Sequence, residues 1–171
     1  IENDLPLPVI VPKITGMTVD GASAVVINSD KRTVTITLSE PVDIKRVNIR
    51  EVTFDYEQTT PSWDITGEHD LSSDLSVTLS TYQDYIWTIK AEQPIERYFT
   101  VKGQVGASEI DVANRRVVTY VNASESKSNI TVTSLKLGPS EVTTYSPAIA
   151  KLKDFTNGAE VTVTSHGRSE K

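Results

Sequence analysis

Apolar and polar residues alternate with a period of two through much of the chain. The clearest segments are TVTITL (residues 33–38), LSVTL (residues 75–79) and IWTIKA (residues 86–91). Such alternation is typical of β-strands with one buried face. A helical period is not evident, and residues 148–152 would make one helical turn at most. Short strands separated by turn residues, roughly every 8 to 12 residues, predict an all-β protein of the immunoglobulin-like β-sandwich type.

The alternation also predicts the buried face of these strands. We expect the first core to hold Val34, Ile36, Leu38 and Trp87, with Tyr85 packed beside the tryptophan. The apolar pattern slips by one position between Ile49 and Val52, which indicates a β-bulge. Residues 56–69 and 138–147 carry turn-forming residues, so we expect both to be loops.

The same pattern occurs twice along the chain, at an offset of about 83 residues. The matching positions are Val19-x-Gly21 with Val101-x-Gly103, Ile27 with Ile110, Val34 with Val117, Val47-x-Ile49 with Ile130-x-Val132, and Asp70-Leu71-Ser72 with Asp154-Phe155-Thr156. We therefore predict two tandem immunoglobulin-like β-sandwich modules, at residues 14–93 and 97–171. The expected second core is Val117, Tyr120 or Val121, Ile130 and Val132.

Both ends of the sequence suggest a longer protein. Residues 1–13 include Pro6, Pro8 and Pro12 and are predicted to form an extended tether. In the register of the repeat, the counterpart of the Trp87 strand begins just after Lys171. We therefore expect the second sandwich to lack its last strand, which leaves an unpaired edge. The N-terminal Ile1 indicates a processed or excised chain start.

Composition excludes several classes of function. The net charge of −6 argues against a nucleic-acid or anionic-membrane partner for the bulk of the chain. The absence of cysteine excludes a disulfide framework and thiolate chemistry. No apolar run approaches the length of a transmembrane helix. We expect a monomer without a cofactor.

The sequence offers no recognisable catalytic or metal-binding set. His69 and His166 are isolated and lack cysteine partners, so they do not make a zinc site. The nucleophile-elbow and phosphate-loop motifs are missing. Four carboxylates crowd one region: Asp64, Glu68, Asp70 and Asp74. Their spacing suits a glycosidase pair or a calcium site, and it equally suits a solvated acidic loop, which is the commonest case.

Aromatic residues give the best candidate for ligand binding. Trp63, Tyr56 and Tyr82 lie in or near polar loops, and aromatic faces stack on sugar rings. With Asp64 and Asp70 they form a candidate carbohydrate-binding site. If Trp63 is exposed beside a groove, binding is favoured. If it is packed between the modules, a spacer role is favoured.

Several phrases resemble a known protein family. They are IxNDxPxP at residues 1–8, YQDYxWTI at 82–89, and FTVxGQVG at 99–106 followed by ID at 110–111. Together they resemble the N-terminal region of lipoproteins from Gram-negative gut anaerobes that carry the so-called "putative carbohydrate metabolism domain". The resemblance implies tandem immunoglobulin-like modules, a lipid anchor on the natural N-terminus, and an outer-membrane, cell-surface or periplasmic location. It also implies a downstream carbohydrate-associated domain in the same chain.

Two functional hypotheses follow. The first is a non-catalytic spacer and interaction region that holds the downstream domain away from the membrane. The second is a carbohydrate-binding module that recognises a polysaccharide through the aromatic residues around Trp63. We do not expect an enzyme, and the resemblance assigns no catalytic residue.

Overall fold

The computed structural model describes residues 8–171 and is all-β, which confirms the predicted class. A single 3₁₀ turn, Ile149–Lys151, lies where the sequence allowed one helical turn. No helix within residues 8–171 is long and apolar enough to cross a membrane. The strands are β1 Ile14–Val19, β2 Ala22–Asn28, β3 Thr33–Leu38, β4 Val47–Phe54, β5 Thr60–Pro61, β6 Gly67–His69, β7 Leu75–Ser80, β8 Asp84–Glu92, β9 Tyr98–Val101, β10 Glu109–Asp111, β11 Arg116–Val118, β12 Val132–Lys136, β13 Thr143–Ser146, β14 Thr162–Ser165 and β15 Arg168–Glu170.

The chain divides into two compact units between Pro94 and Ile95. We call them unit 1, which holds β1 to β8, and unit 2, which holds β9 to β15. This boundary falls in the short segment between the two predicted modules. That each unit is an immunoglobulin-like sandwich stays a prediction.

Unit 1 consists of two sheets that enclose one core. Strands β1, β4 and β6 form the smaller sheet, and the larger one has the order β2-β3-β8-β7-β5. Buried residues from both sheets belong to a single cluster, so the sheets pack face to face. The predicted core residues Val34, Ile36, Leu38 and Trp87 are all in this cluster.

Strand β8 lies in the middle of the larger sheet. It runs parallel to β3 and antiparallel to β7, so both of its edges are hydrogen-bonded. The side chain of Trp87 is fully buried, at 0% exposure, whereas that of the next outward residue, Ile86, is 61% exposed. The alternation of the sequence therefore gives this strand its buried and exposed faces.

The bulge predicted between Ile49 and Val52 is present. Thr18 pairs with Glu51 and Val19 pairs with Ile49, which leaves Arg50 without a cross-strand partner. The extra residue is an exposed one, and its guanidinium forms an ion pair with Asp20. The bulge keeps Ile49 on the buried face while the strand shifts register.

The expected loops contain strands that the sequence pattern did not reveal. Residues 56–69 include β5 and β6, and residues 138–147 include β13. These strands are two to four residues long, too short for an alternation to be visible. Pro61 fits because β5 is an edge strand, where the missing N–H has no ladder partner to lose. Strand β2, between Gly21 and the turn that precedes β3, is likewise not evident from the sequence pattern.

Unit 2 arranges its strands in three small sheets. Their orders are β12-β9, β10-β11 and β13-β14-β15. Five buried residues form the core: Phe99, Val101, Ile130, Leu135 and Leu152. Val117, Val121 and Val132 pack against it as half-buried residues, while Tyr120 is 57% exposed. Of the alternatives given for this core, Val121 is therefore correct and Tyr120 is wrong.

Backbone hydrogen bonds recur in the two units at the offset of the sequence repeat. In each unit, the N–H just after the first strand donates to a carbonyl at the start of the partner strand or directly before it. The turns that follow are closed by matching backbone hydrogen bonds. The corresponding pairs are Asp20 to Asn48 and Lys102 to Thr131, Ser39 to Gly21 and Asn122 to Gly103, Arg46 to Asp43 and Asn129 to Ser126, and Leu71 to Ile44 and Phe155 to Lys127. The duplication seen in the sequence is thus also a duplication of local structure.

The repeated glycines have a conformational reason. Gly21 and Gly103 both have φ of +73°, a region that disfavours side chains. A Cβ on Gly21 would lie 2.2 Å from Cγ2 of Val42, and one on Gly103 would lie 2.5 Å from Cγ of Glu125. The backbone angle therefore favours glycine at both turns, and the close approach of the branched Val42 adds to this at Gly21.

The predicted tether, residues 1–13, is only partly described, because residues 1–7 lie outside the described part. Residues 8–13 have no regular secondary structure. The hydroxyl of Thr81 donates to the carbonyl of Ile10 over 2.8 Å, and the N–H of Lys13 donates to Asp55 over 2.8 Å. Pro12 is buried. The last residues of the predicted tether are therefore attached to unit 1.

Replacing Trp87 with alanine should destabilise unit 1 by about 3–5 kcal/mol, because it leaves a large cavity in the core. Replacing Ile86 with alanine is the matched control on the exposed face of the same strand, and it should cost below about 1 kcal/mol. Denaturant unfolding of both variants measures the difference. Equal losses would show that the burial of Trp87 does not hold the unit together.

Candidate functional site

The indole of Trp63 is packed against unit 1. Its Nε1–H donates to the carbonyl of Ser76 over 2.8 Å. Its ring meets that of His69 edge to face, with centroids 5.0 Å apart, and it packs on the core of unit 1. Backbone and hydroxyl bonds between Ser62 and Thr78 fix the segment just before it. Trp63 therefore lies half-buried within unit 1, which differs from both positions considered from the sequence.

Asp64 closes the turn that follows the tryptophan. Its Oδ1 accepts the hydroxyl of Thr66 over 2.6 Å and the N–H of the same residue over 3.0 Å. These two hydrogen bonds, with a smaller contribution from nearby His69, hold the pKa of Asp64 below its usual value. The imidazole Nε2 of His69 is 2.9 Å from the carbonyl of Ile65. The polar groups around Trp63 are thus engaged with one another.

Two of the other carboxylates of this region, Asp70 and Glu68, also have partners. Asp70 accepts the N–H and hydroxyl of Ser72 over 2.9 Å and 2.5 Å. Glu68 forms an exposed ion pair with Arg46 at 3.1 Å. Across residues 8–171, no group of three or more His, Asp or Glu side chains is arranged to hold a metal ion. The carboxylates therefore close turns and form ion pairs, and the structure brings no calcium cage together from them.

Tyr56 and Tyr82 form a separate aromatic pair. The hydroxyl of Tyr82 interacts with that of Tyr56 and raises its pKa. Tyr82 lies in the turn between β7 and β8 and is 50% exposed. The hydroxyl of the nearby Tyr85 donates to Gln83 over 3.0 Å, and the guanidinium of Arg32 lies 5.7 Å from the Tyr85 ring centroid. This end of unit 1 therefore presents an accessible tyrosine face.

The predicted site residues lie in two places. Trp63 is bonded at Ser76, near the start of β7, whereas Thr60 pairs with Ser80 at the end of that strand. Strands rise about 3.3 Å per residue, so these two anchor points are about 13 Å apart. Trp63 and Asp64 belong to the first place, and Tyr56 and Tyr82 to the second. The predicted aromatic residues are therefore anchored at two separate points along β7.

A cavity of about 770 Å³ in unit 2 was not predicted as a site. Its apolar lining includes Phe99, Val101, Ile130, Leu152 and Phe155. Five basic residues also line it: Arg97, Arg115, Arg116, Lys127 and Lys171. The acidic ones are Asp111 and Glu160. The signal that pointed towards it was the repeat register, which left part of this core uncovered.

Comparison with known proteins gives little. No protein-family model matches the chain, and a search of curated proteins found no match. Among solved structures, the chain is similar to one described as a "putative glycoside hydrolase" from Bacteroides thetaiotaomicron, at 13% identity and a TM-score of 0.45. The similarity covers 66% of this chain and 35% of that one. At this TM-score the similarity carries no argument about function.

Asp154 gives a test of the turn-closing role, because it repeats the contacts of Asp70. Its Oδ1 accepts the hydroxyl and N–H of Thr156, and these bonds lower its pKa. A carboxylate with a lowered folded pKa stabilises the fold above its unfolded pKa of about 3.9, and this contribution disappears as the pH falls through the folded value. Asp154→Asn keeps an acceptor that does not titrate. The variant should therefore lose less stability than the wild type between pH 7 and pH 2.

Urea unfolding of unit 2 at several pH values measures this effect. Asp154→Ala is the control, since it removes the acceptor and should lower stability already at pH 7. Identical acid sensitivity of the wild type and Asp154→Asn would contradict the assignment.

Proposed function

We propose that the chain consists of two tandem immunoglobulin-like modules that act as a non-catalytic spacer and interaction region. The parent protein is a lipoprotein of the outer membrane or cell surface, or of the periplasm, and is associated with carbohydrate utilisation. Its natural N-terminus carries the lipid anchor, and the partner of the modules is a downstream carbohydrate-associated domain. This setting rests on the sequence resemblance.

The recurrence of structural hydrogen bonds carries the proposal. The positions shared by the two units have structural roles: they close turns, fill cores or permit a positive φ. Gly21 and Gly103 are examples of the last role. Asp70 and Asp154 are likewise used in the same turn-closing contacts. The two units therefore share the residues that maintain the fold. A spacer needs a stable fold and no ligand site, so this repeat supports a spacer role.

The surroundings of Trp63 support the same proposal. A sugar-stacking tryptophan offers one open ring face to the ligand. This indole instead packs on the core, contacts His69 and donates its N–H to Ser76. Its role is to hold the segment between β5 and β6 against unit 1. These contacts favour the spacer hypothesis over carbohydrate binding at Trp63.

Tyr82 keeps a second candidate function open. Its side chain is half exposed, and its hydroxyl interacts with that of Tyr56. An exposed tyrosine with a polar neighbour is suited to weak stacking on a sugar. A carbohydrate-binding role, if the chain has one, would be located at this end of unit 1.

A glycan array on the chain tests the two candidates. A spacer should bind no glycan above background. Binding that is lost in Tyr82→Ala but retained in Tyr82→Phe would overturn the spacer proposal, because the phenylalanine keeps the ring face and removes only the hydroxyl. Trp63→Ala should change stability and leave any binding unchanged. Urea unfolding of each variant separates loss of binding from loss of folding.

A further inference from the structure

The two units have a groove at corresponding places. In unit 1 a strand fills it, and in unit 2 it is open. In unit 1, β8 lies between β3 and β7, with Thr33 facing Thr88 on one side and Val77 facing Trp87 on the other. The counterparts of β3 and β7 in unit 2 are β11 and β14, since Val117 matches Val34 and their flanking turns share hydrogen bonds. Within the described residues, no strand joins β11 to β14.

Strand β15 occupies the start of the place that β8 fills. It pairs with β14 in the antiparallel sense: Arg168 lies opposite Ser165, and Glu170 lies opposite Val163. The first residues of β8 pair with β7 in the same way. It follows a two-residue turn in which His166 and Gly167 both have positive φ, the geometry of a tight hairpin. The strand ends at Glu170. Within residues 8–171, no strand pairs with Thr162 of β14 on the β15 side, and none pairs with β11 on the edge away from β10.

Burial differs between the two units at matching positions. Val34 and Val77, which flank β8, are both 0% exposed. Their counterparts Val117 and Val161 are half-buried and line the cavity. Residues from both sides, such as Thr119 and Val163, line the same space. The 770 Å³ cavity therefore lies where the inward side chains of a β8-like strand would pack.

We propose that this groove binds one β-strand that continues β15, parallel to β11 and antiparallel to β14. The occupant resembles β8 in sequence pattern, with large apolar residues at alternate, inward-facing positions. The residue opposite Val161 is about the size of tryptophan. Docking would complete the sheet by strand addition, with backbone pairing on both edges.

The register of the occupant follows from the pairing already present. Val163 pairs with Glu170, so the residue opposite Val161 is the first one after Lys171. In unit 1 the corresponding residue, opposite Val77, is Trp87. A test chain therefore carries the six-residue sequence of Trp87 to Glu92, WTIKAE, appended directly to Lys171. The matched control carries the same residues as TWKIEA, which turns the apolar side chains outward.

Amide hydrogen exchange measures the effect on the 171-residue chain and on both extended chains. The WTIKAE extension should slow exchange at β11 and β14 by at least about tenfold, because those amides become part of a closed sheet. The control extension should leave them unchanged, and the amides of unit 1 should not change in any of the chains. Unit 1 thus reports that each chain is folded.

Three results would overturn the proposal. Equal protection by both extensions would show non-specific contact, and no protection by either would show that the groove does not accept a strand. Protection of β11 and β14 in the 171-residue chain that rises with protein concentration would show that a second copy fills the groove. Analytical ultracentrifugation of the same samples identifies that last case.

Discussion

Strand β8 is the element on which the larger sheet of unit 1 depends. It pairs with β3 on one edge and with β7 on the other, and it places Trp87 and Ile89 in the core. The parallel pairing joins positions far apart in the sequence, such as Thr33 and Thr88. Without β8, the remaining pairs would be β2 with β3 and β5 with β7. Those are the pairings that unit 2 shows between β10 and β11 and between β13 and β14.

The turns of the two units are fixed by local polar contacts. Asp64, Asp70, Asp111 and Asp154 each accept an N–H from a residue two or three positions later. Such contacts satisfy backbone donors that would otherwise rely on water. They explain why a chain with a net charge of −6 carries acidic side chains in its loops, although residues 8–171 do not gather them into a group that could hold a metal ion.

The sequence was sufficient to predict the elements whose alternation is long enough to read. Strands β3, β7 and β8, the buried Trp87 and the bulge near Ile49 follow directly from it. The short strands β5, β6 and β13 could not be predicted, because their neighbours determine their pairing and their own residues carry no period. The repeat was the strongest signal, since it relates positions that must adopt the same turn.

The candidate site was harder to predict for a different reason. An aromatic residue in a polar loop has the same appearance in a sequence whether its ring faces solvent or the core. Only the Ser76 carbonyl and the His69 ring, which lie beside it in space, show that Trp63 is packed. Tyr56 and Tyr82 come together because β5, a strand that the sequence did not reveal, pairs with β7. Which candidate side chains come together therefore depends on the short strands, and these are the ones that the sequence predicts least well.

The comparison of the two units separates two contributions to the fold. Turns, hairpins and the β9–β12 pairing form in unit 2 without a full counterpart of β8, because their hydrogen bonds connect residues within the existing framework. Burial is what differs, since Val117 and Val161 stay half-buried where Val34 and Val77 are fully covered. A framework already fixed by its turns loses little conformational entropy when a strand is added. The main cost of filling the groove is then the ordering of the strand itself, and burial of apolar surface, at about 25 cal/mol per Å², opposes that cost.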